Sequence, residues 1–141
     1  MTADIKRRIV GAARACLGTP FRHQGRAPGV GLDCAGLAVV ALQSAGVEVR
    51  DYRGYGRIPN DGRLRRAIDE QPGLESVPVD KAEPGDVLLL RFAGVPAHIG
   101  ILTAPGIMIH AYEQIGRVVE HRIDEAWRGQ IVAAWSVRGE A

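Results

Sequence analysis

The hydrophobic periodicity of this 141-residue chain changes from helical to strand-like near Val77, and that change constrains the fold more than any other feature. Ile5, Ile9, Ala12, Ala13, Cys16 and Leu17 fall on one helix face, which predicts a helix over 3–17 closed by Gly18 and Pro20. A second helix is predicted from Asp33, as its N-cap, to Ala45. Leu37, Val40 and Ala41 share a face there, and Gly46 supplies the stop. Between the two lies a long irregular segment, 18–32, rich in Gly and Pro; such segments in compact domains are functional or disordered. Residues 50–62 read as a loop, and 62–71 as a short helix that turns Leu64 and Ile68 inward and ends at Pro72.

Beyond Val77 the pattern predicts strands. Pro84-Gly85-Asp86 is a turn leading into Val87–Phe92, followed by His98–Thr103, Ile107–Tyr112, Arg117–Arg122 and Ile131–Val137, with one helical turn at Glu125–Arg128. Helices first and strands after them give an α+β fold in which helices pack on an antiparallel sheet. The length fits a single domain, residues 1–141.

Several function classes drop out. No apolar run approaches the roughly 20 residues of a membrane span. Asp4, Lys6, Arg7 and Arg8 break up the first ten residues, unlike a secretory signal, so the chain as synthesised is expected to stay in the cytoplasm. Two cysteines, Cys16 and Cys34, are too few for a disulfide framework, and Cys16 on the helix stripe reads as an inert buried thiol. A net charge of +2 does not announce a nucleic-acid binder. The basic middle segment, Arg50, Arg53, Arg57, Arg63, Arg65 and Arg66 with Tyr52 and Tyr55 nearby, reads as a solvated face without a recognition module. Neither a P-loop nor a Gly-x-Gly-x-x-Gly motif after a strand is present, and no cofactor is expected.

Cys34 stands just inside the second helix, where unpaired N–H groups favour an anion and would lower a thiol pKa. On position alone a structural cysteine is an equally good reading. A thiol nucleophile needs a base and the base an orienting group. His98 and His110 lie on consecutive strands around Thr103, Ala104, Pro105 and Gly106. Directly opposite placement needs Leu102 to face Gly106 across a three-residue loop; a two-residue Pro105-Gly106 turn puts the imidazoles on opposite faces. A shared site therefore requires an odd loop or a bulge. Without that, both histidines read as edge or core residues. His23 and His121 read as surface residues, His23 with a substrate contact as its alternative. Zinc held by Cys34, His98 and His110 would lack a fourth ligand and any short-spaced pair to preorganise it, so no metal is expected.

The segments Leu17-Gly-Thr-Pro-Phe-Arg-His-Gln-Gly25 and Gly31-Leu-Asp-Cys-Ala-Gly-Leu37 resemble the cysteine signature of the NlpC/P60 peptidases. Pro84-Gly-Asp86, His98-Ile-Gly-Ile101 and Met108-Ile-His-Ala111 resemble the family's remaining blocks, in order, so the likeness spans about 5–137. It is most similar to the stand-alone type encoded beside phage-tail or gene-transfer-agent genes. The resemblance implies a papain-like fold and hydrolysis of peptide bonds in peptidoglycan stem peptides, usually between γ-linked D-glutamate and a diamino acid. It implies Cys34 as nucleophile, His98 as general base and acid, His110 as orienting group, and Asp33 as a substrate contact beside its capping role.

Two positions depart from the pattern: Phe21 stands where the family usually has Tyr, and Ala35 where it usually has Ser. In several relatives that Tyr and Ser join the Asp in holding a free stem-peptide amine. Losing hydrogen-bonding groups removes that discrimination, so a stem still attached to glycan is the expected substrate. A phage-tail-like particle is the expected vehicle to the wall, and the basic middle segment could hold the enzyme on an anionic wall surface. Two other classes share these residues: a tail-tip plug that binds without cutting, and an acyl or amide transferase that uses the same thiol.

Overall fold

The computed structural model describes residues 2–53, 62–92 and 95–139. Helix α1 (Thr2–Arg14) stops short of residue 17, because the N–H groups of Cys16 and Leu17 turn to carbonyls three residues back. Gly18 follows at φ +83°, the left-handed ending its position predicts. The segment 18–32 is ordered and contains a small hairpin, β1 (Arg26–Ala27) with β2 (Gly31–Leu32). Helix α2 (Cys34–Ser44) starts after Asp33, whose side chain caps the Gly36 N–H. It buries residues around most of its circumference, among them Ala35, Leu37, Ala38, Ala41 and Leu42, as a core helix does. Helix α3 (Arg63–Asp69) turns Leu64 and Ile68 inward as predicted. Most of the expected 50–62 loop, with Tyr55 and Arg57, lies outside the described residues.

The second half forms one antiparallel sheet of β3 (Leu74–Val77), β4 (Val87–Phe92), β5 (Val95–Ala104), β6 (Ile107–Tyr112), β7 (Arg117–Arg122) and β8 (Ile131–Val137). The spatial order is β3-β8-β4-β5-β6-β7. Strand β3 is absent from the sequence-based expectation. Its Glu75 and Ser76 are both exposed, so it shows no period-two burial, and its conformation comes from pairing with β8.

Alternation along the strands divides the sheet into two faces. Leu89, Ile99, Ile101, Ile109 and Trp135 join the core built with α1 and α2. Leu88, Leu90, Leu102, Met108 and Ala134 form a smaller core, completed by Ile123 and by Trp127 of the one-turn helix α4 (Glu125–Arg128). A turn at Pro84-Gly85-Asp86 ties α1 to the sheet. Asp86 is 1% exposed, with Lys6 Nζ at 3.2 Å and the Glu83 N–H donating to its Oδ2 at 2.8 Å. Gly85 has φ +97°, and a Cβ there would lie 2.6 Å from the Lys6 Cβ, so helix and turn meet backbone to backbone.

The β5–β6 register resolves the histidine question in a way neither simple hairpin anticipates. Ala104 pairs with Ile107 across a two-residue Pro105-Gly106 turn, but a bulge at Thr103 shifts the pairing to Leu102↔Met108 and Ile101↔Ile109. The next residues along are Gly100 and His110, so His98 is diagonal to His110 and not directly opposite it. The bulge keeps both on one face.

Helix α2 seats closely on the loop before it: a Cβ on Gly36 would lie 2.0 Å from the Gly25 carbonyl oxygen. Backbone cannot swing aside as a side chain can. Gly36→Ala is expected to destabilise the protein by about 2 kcal/mol or more, read as a lowered urea midpoint; an unchanged midpoint would mean the loop yields freely.

Candidate active site

Cys34 owes its position to Asp33. That carboxylate is 3% exposed and accepts from the Gly36 N–H at 2.8 Å, the Gln24 N–H at 2.8 Å and the Arg26 guanidinium at 3.0 Å. Arg26, itself buried, also reaches Asp51 at 3.0 Å. One buried ion pair thus joins the loop, the helix start and the segment near residue 51. The carboxylate expected to meet substrate is occupied by the fold's own donors, so the structure gives Asp33 its capping role.

A cleft of about 530 Å³ opens in front of Cys34, walled by Phe21, Phe92, His98, Tyr112 and Trp127. It lies where the β5–β6 pairing ends, and Ala97 and Ala111 line it from either strand. Of the expected substrate contacts, Phe21 faces this cleft. Ala35 is buried behind Cys34, 7% exposed, and His23 lies half-buried in the loop away from the cleft walls.

Three histidines form a row on one sheet face. His98 Nε2 lies 2.6 Å from His110 Nδ1, and His110 Nε2 lies 2.8 Å from His121 Nε2. His121 Nδ1 is 2.8 Å from the Arg122 carbonyl oxygen. Phe92 stacks on His98 with centroids 4.3 Å apart, Tyr112 stacks on His110 at 5.0 Å, and Trp127 meets His110 edge-on at 5.2 Å. The rings are clamped between aromatic faces. The surface reading of His121 is corrected: it is half-buried and bonded to His110. A four-residue turn between the two predicted strands pairs Tyr112 with Arg117 and Met108 with His121, which sets His121 on the His110 face. The strand bounds and the four-residue turn that set this register are legible in the sequence.

Burial controls the ionisation of these groups. It pushes the Cys34 thiol up to about 12, and the neighbouring Asp33 carboxylate adds to the rise. The N–H groups of Ile99 and Ala35 and the charge of Arg26 pull the other way without winning. The helix-start N–H group of Ala35 pulls in the acidifying direction expected of it, and desolvation opposes it with the larger effect. Burial and then His110 hold His98 well below 6.5; burial and then His121 bring His110 to about 3. These directions favour a thiol at Cys34 and neutral imidazoles at His98 and His110 near neutral pH. His98 and His110 turn their nitrogens on each other, and among the described residues no three ligating side chains converge as a metal site would require.

A thiol at a helix start, with an imidazole row on the adjoining sheet of an α+β fold, is the arrangement of papain-like cysteine hydrolases. The chain belongs to the NlpC/P60 family, whose model matches residues 18–136. It is 32% identical over 103 residues to the "Probable endopeptidase" of Mycobacterium tuberculosis, covering 73% of this chain and 22% of that protein. It is 32% identical over 109 residues to the tail tip assembly protein K of Escherichia phage lambda, covering 75% of this chain and 54% of that protein. A slighter likeness, 24% over 132 residues, links 89% of this chain to 28% of the gamma-DL-glutamyl hydrolase of Bacillus subtilis. Among solved structures, the NlpC/P60 domain of the peptidoglycan hydrolase SagA superposes with a TM-score of 0.67 at 26% identity, covering 94% of this chain and 98% of that one. The chain therefore corresponds to a small part of the mycobacterial relative and about half of the phage protein. No helix among the described residues is long and apolar enough to cross a membrane.

The lowered histidine pKa values have a stability consequence. Below 6.5 the unfolded chain takes up protons that folded His98 and His110 refuse, so stability falls on acidification from 6.5 towards about 3. The slope is up to about 1.4 kcal/mol per pH unit per histidine. It begins before Glu120 and Asp51, whose ordinary values are 4.5 and 3.8, contribute. Urea unfolding between pH 7 and 4.5 should show this loss in the wild type and a shallower one in His110→Gln; equal slopes would count against the buried neutral imidazoles.

Proposed function

We propose that the protein is a cysteine endopeptidase that hydrolyses peptide bonds in peptidoglycan stem peptides, acting as a single catalytic domain. The observation that carries this reading is the shared cleft of Cys34 and His98, with His98 Nε2 engaged by His110. Its Nδ1 is thereby left for the thiol. Proton transfer from Cys34 Sγ to His98 Nδ1 creates the nucleophile as it attacks the scissile carbonyl carbon. N–H groups in the first turn of α2 stabilise the oxyanion. Collapse of the tetrahedral intermediate breaks the C–N bond, and His98 returns the proton to the leaving amine. Water, deprotonated by the same imidazole, then hydrolyses the thioester and restores the thiol.

The bond favoured is that between γ-D-glutamate and a diamino acid, in line with the family resemblance and with the slighter likeness to a gamma-DL-glutamyl hydrolase. The cleft favours a stem without a recognised free amine: Phe21 lines it with a ring that carries no hydroxyl, Ala35 is buried, and the Asp33 carboxylate is filled from within. Likeness to a phage tail tip protein supports delivery to the wall in a tail-like particle after synthesis in the cytoplasm.

Digestion of purified peptidoglycan, with fragments identified by mass spectrometry, tests the reading. Wild type should release new fragments whose masses name the bond, and Cys34→Ala should release none. Fragments from both would end the mechanism; none from either, with wall binding retained, would favour a tail-tip plug. Transfer to an amine instead of water would appear as a mass adduct. His98→Ala is expected to slow turnover by about 100- to 10,000-fold. Because His98 must be neutral to accept the proton and its pKa is lowered, the acid limb of kcat/KM should fall below 6.5; a limb above that value contradicts the assignment.

A further inference from the structure

We propose that His121 is a positioning residue of this site: anchored on the Arg122 carbonyl, it holds His110, and through it His98, in the tautomer that leaves His98 Nδ1 bare. The inference rests on the assignment of His98 as the base. It is carried by the polarity of the hydrogen-bond row.

A carbonyl oxygen only accepts. The nitrogen 2.8 Å from the Arg122 oxygen, His121 Nδ1, must therefore carry its hydrogen. When that is its one N–H, His121 Nε2 is an acceptor, and the His110 nitrogen 2.8 Å away, Nε2, donates to it. His110 then has a bare Nδ1, and His98 Nε2 donates to that atom across 2.6 Å. The last hydrogen is now placed and His98 Nδ1 is unprotonated. With a single hydrogen on each ring, each step follows from the one before, and the starting point is a peptide group that only accepts. Without His121, His110 could carry its hydrogen on Nδ1. It would then donate to His98 Nε2, and His98 would carry its hydrogen on the nitrogen needed as the base.

The surroundings fit a built arrangement. His110 is fully buried and His98 is 5% exposed, so water does not replace a lost partner freely. Trp127 lies with its ring centroid 5.1 Å from His121 and 5.2 Å from His110, covering the bond between them. His121 stands two positions along β7 from Val119, which pairs with His110, and the three imidazoles occupy one diagonal across β5, β6 and β7.

The test combines tautomers and kinetics. Long-range proton–nitrogen correlation spectra of the nitrogen-15-labelled protein should show His98 and His110 with hydrogen on Nε2 and bare Nδ1. In His121→Phe both should shift towards the Nδ1–H form. On a soluble stem-peptide substrate, kcat should fall at least about 10-fold with KM unchanged. His121→Gln, whose side-chain oxygen can accept from His110, should restore most of the rate and the wild-type tautomers. A wild-type His98 carrying hydrogen on Nδ1 overturns the proposal without recourse to any variant. So does His121→Phe with unchanged tautomers, whatever its rate, because loss of activity alone would mark a structural role. If the spectra behave as stated but the wild type cuts no stem peptide, the positioning role stands and the peptidase reading falls.

Discussion

The buried carboxylate of Asp33 is the constraint on which the rest of the site depends. A charge taken out of water is costly unless partners surround it, and here three donors come from two stretches: the Gln24 amide and Arg26 guanidinium of the loop, and the Gly36 amide of α2. Satisfying one anion therefore fixes the start of α2, the course of the preceding loop and, through Arg26, the segment at Asp51. Cys34 follows Asp33 directly and Phe21 stands in the same loop, so the thiol and one wall of the cleft are placed by one interaction. The same carboxylate opposes a negative charge on the thiol beside it. Position and reactivity are coupled in opposite senses.

The sheet supplies the other half of the site by simple alternation. One face of β5, β6 and β7 carries the histidine row; the other carries Ile99, Ile101 and Ile109 into the helix-covered core. A single bulge at Thr103 makes this division hold across the β5–β6 hairpin. Its removal, with the two-residue turn kept, would send His98 and His110 to opposite sides. The aromatic rings of Phe92, Tyr112 and Trp127 then fix the imidazoles by stacking and edge contacts without offering them competing hydrogen bonds.

Much of this was legible in the residues. The strands at Ile107–Tyr112, Arg117–Arg122 and Ile131–Val137 and the turn of helix at Glu125–Arg128 match their expected bounds, because each is framed by Gly, Pro or a polar cap. The cap at Asp33 and the need for a bulge near Pro105-Gly106 were also readable. Strand β3 was not, since its shape is imposed by β8. The balance at Cys34 is hidden for a related reason: a helix start is visible in sequence, whereas the desolvation that opposes it is a property of the assembled core. The register of His121 follows from strands legible in the sequence, and only its place beside His110 shows that it belongs to the row.

A cysteine that rests as a thiol has a chemical temperament of its own. Alkylating agents and peroxides react with thiolates, so the upward shift that burial and Asp33 impose on the thiol works against either reaction. On the proposed mechanism the thiolate forms while a carbonyl occupies the cleft and His98 takes the proton. The desolvation that makes Cys34 a reluctant acid thus also works against its oxidation at rest.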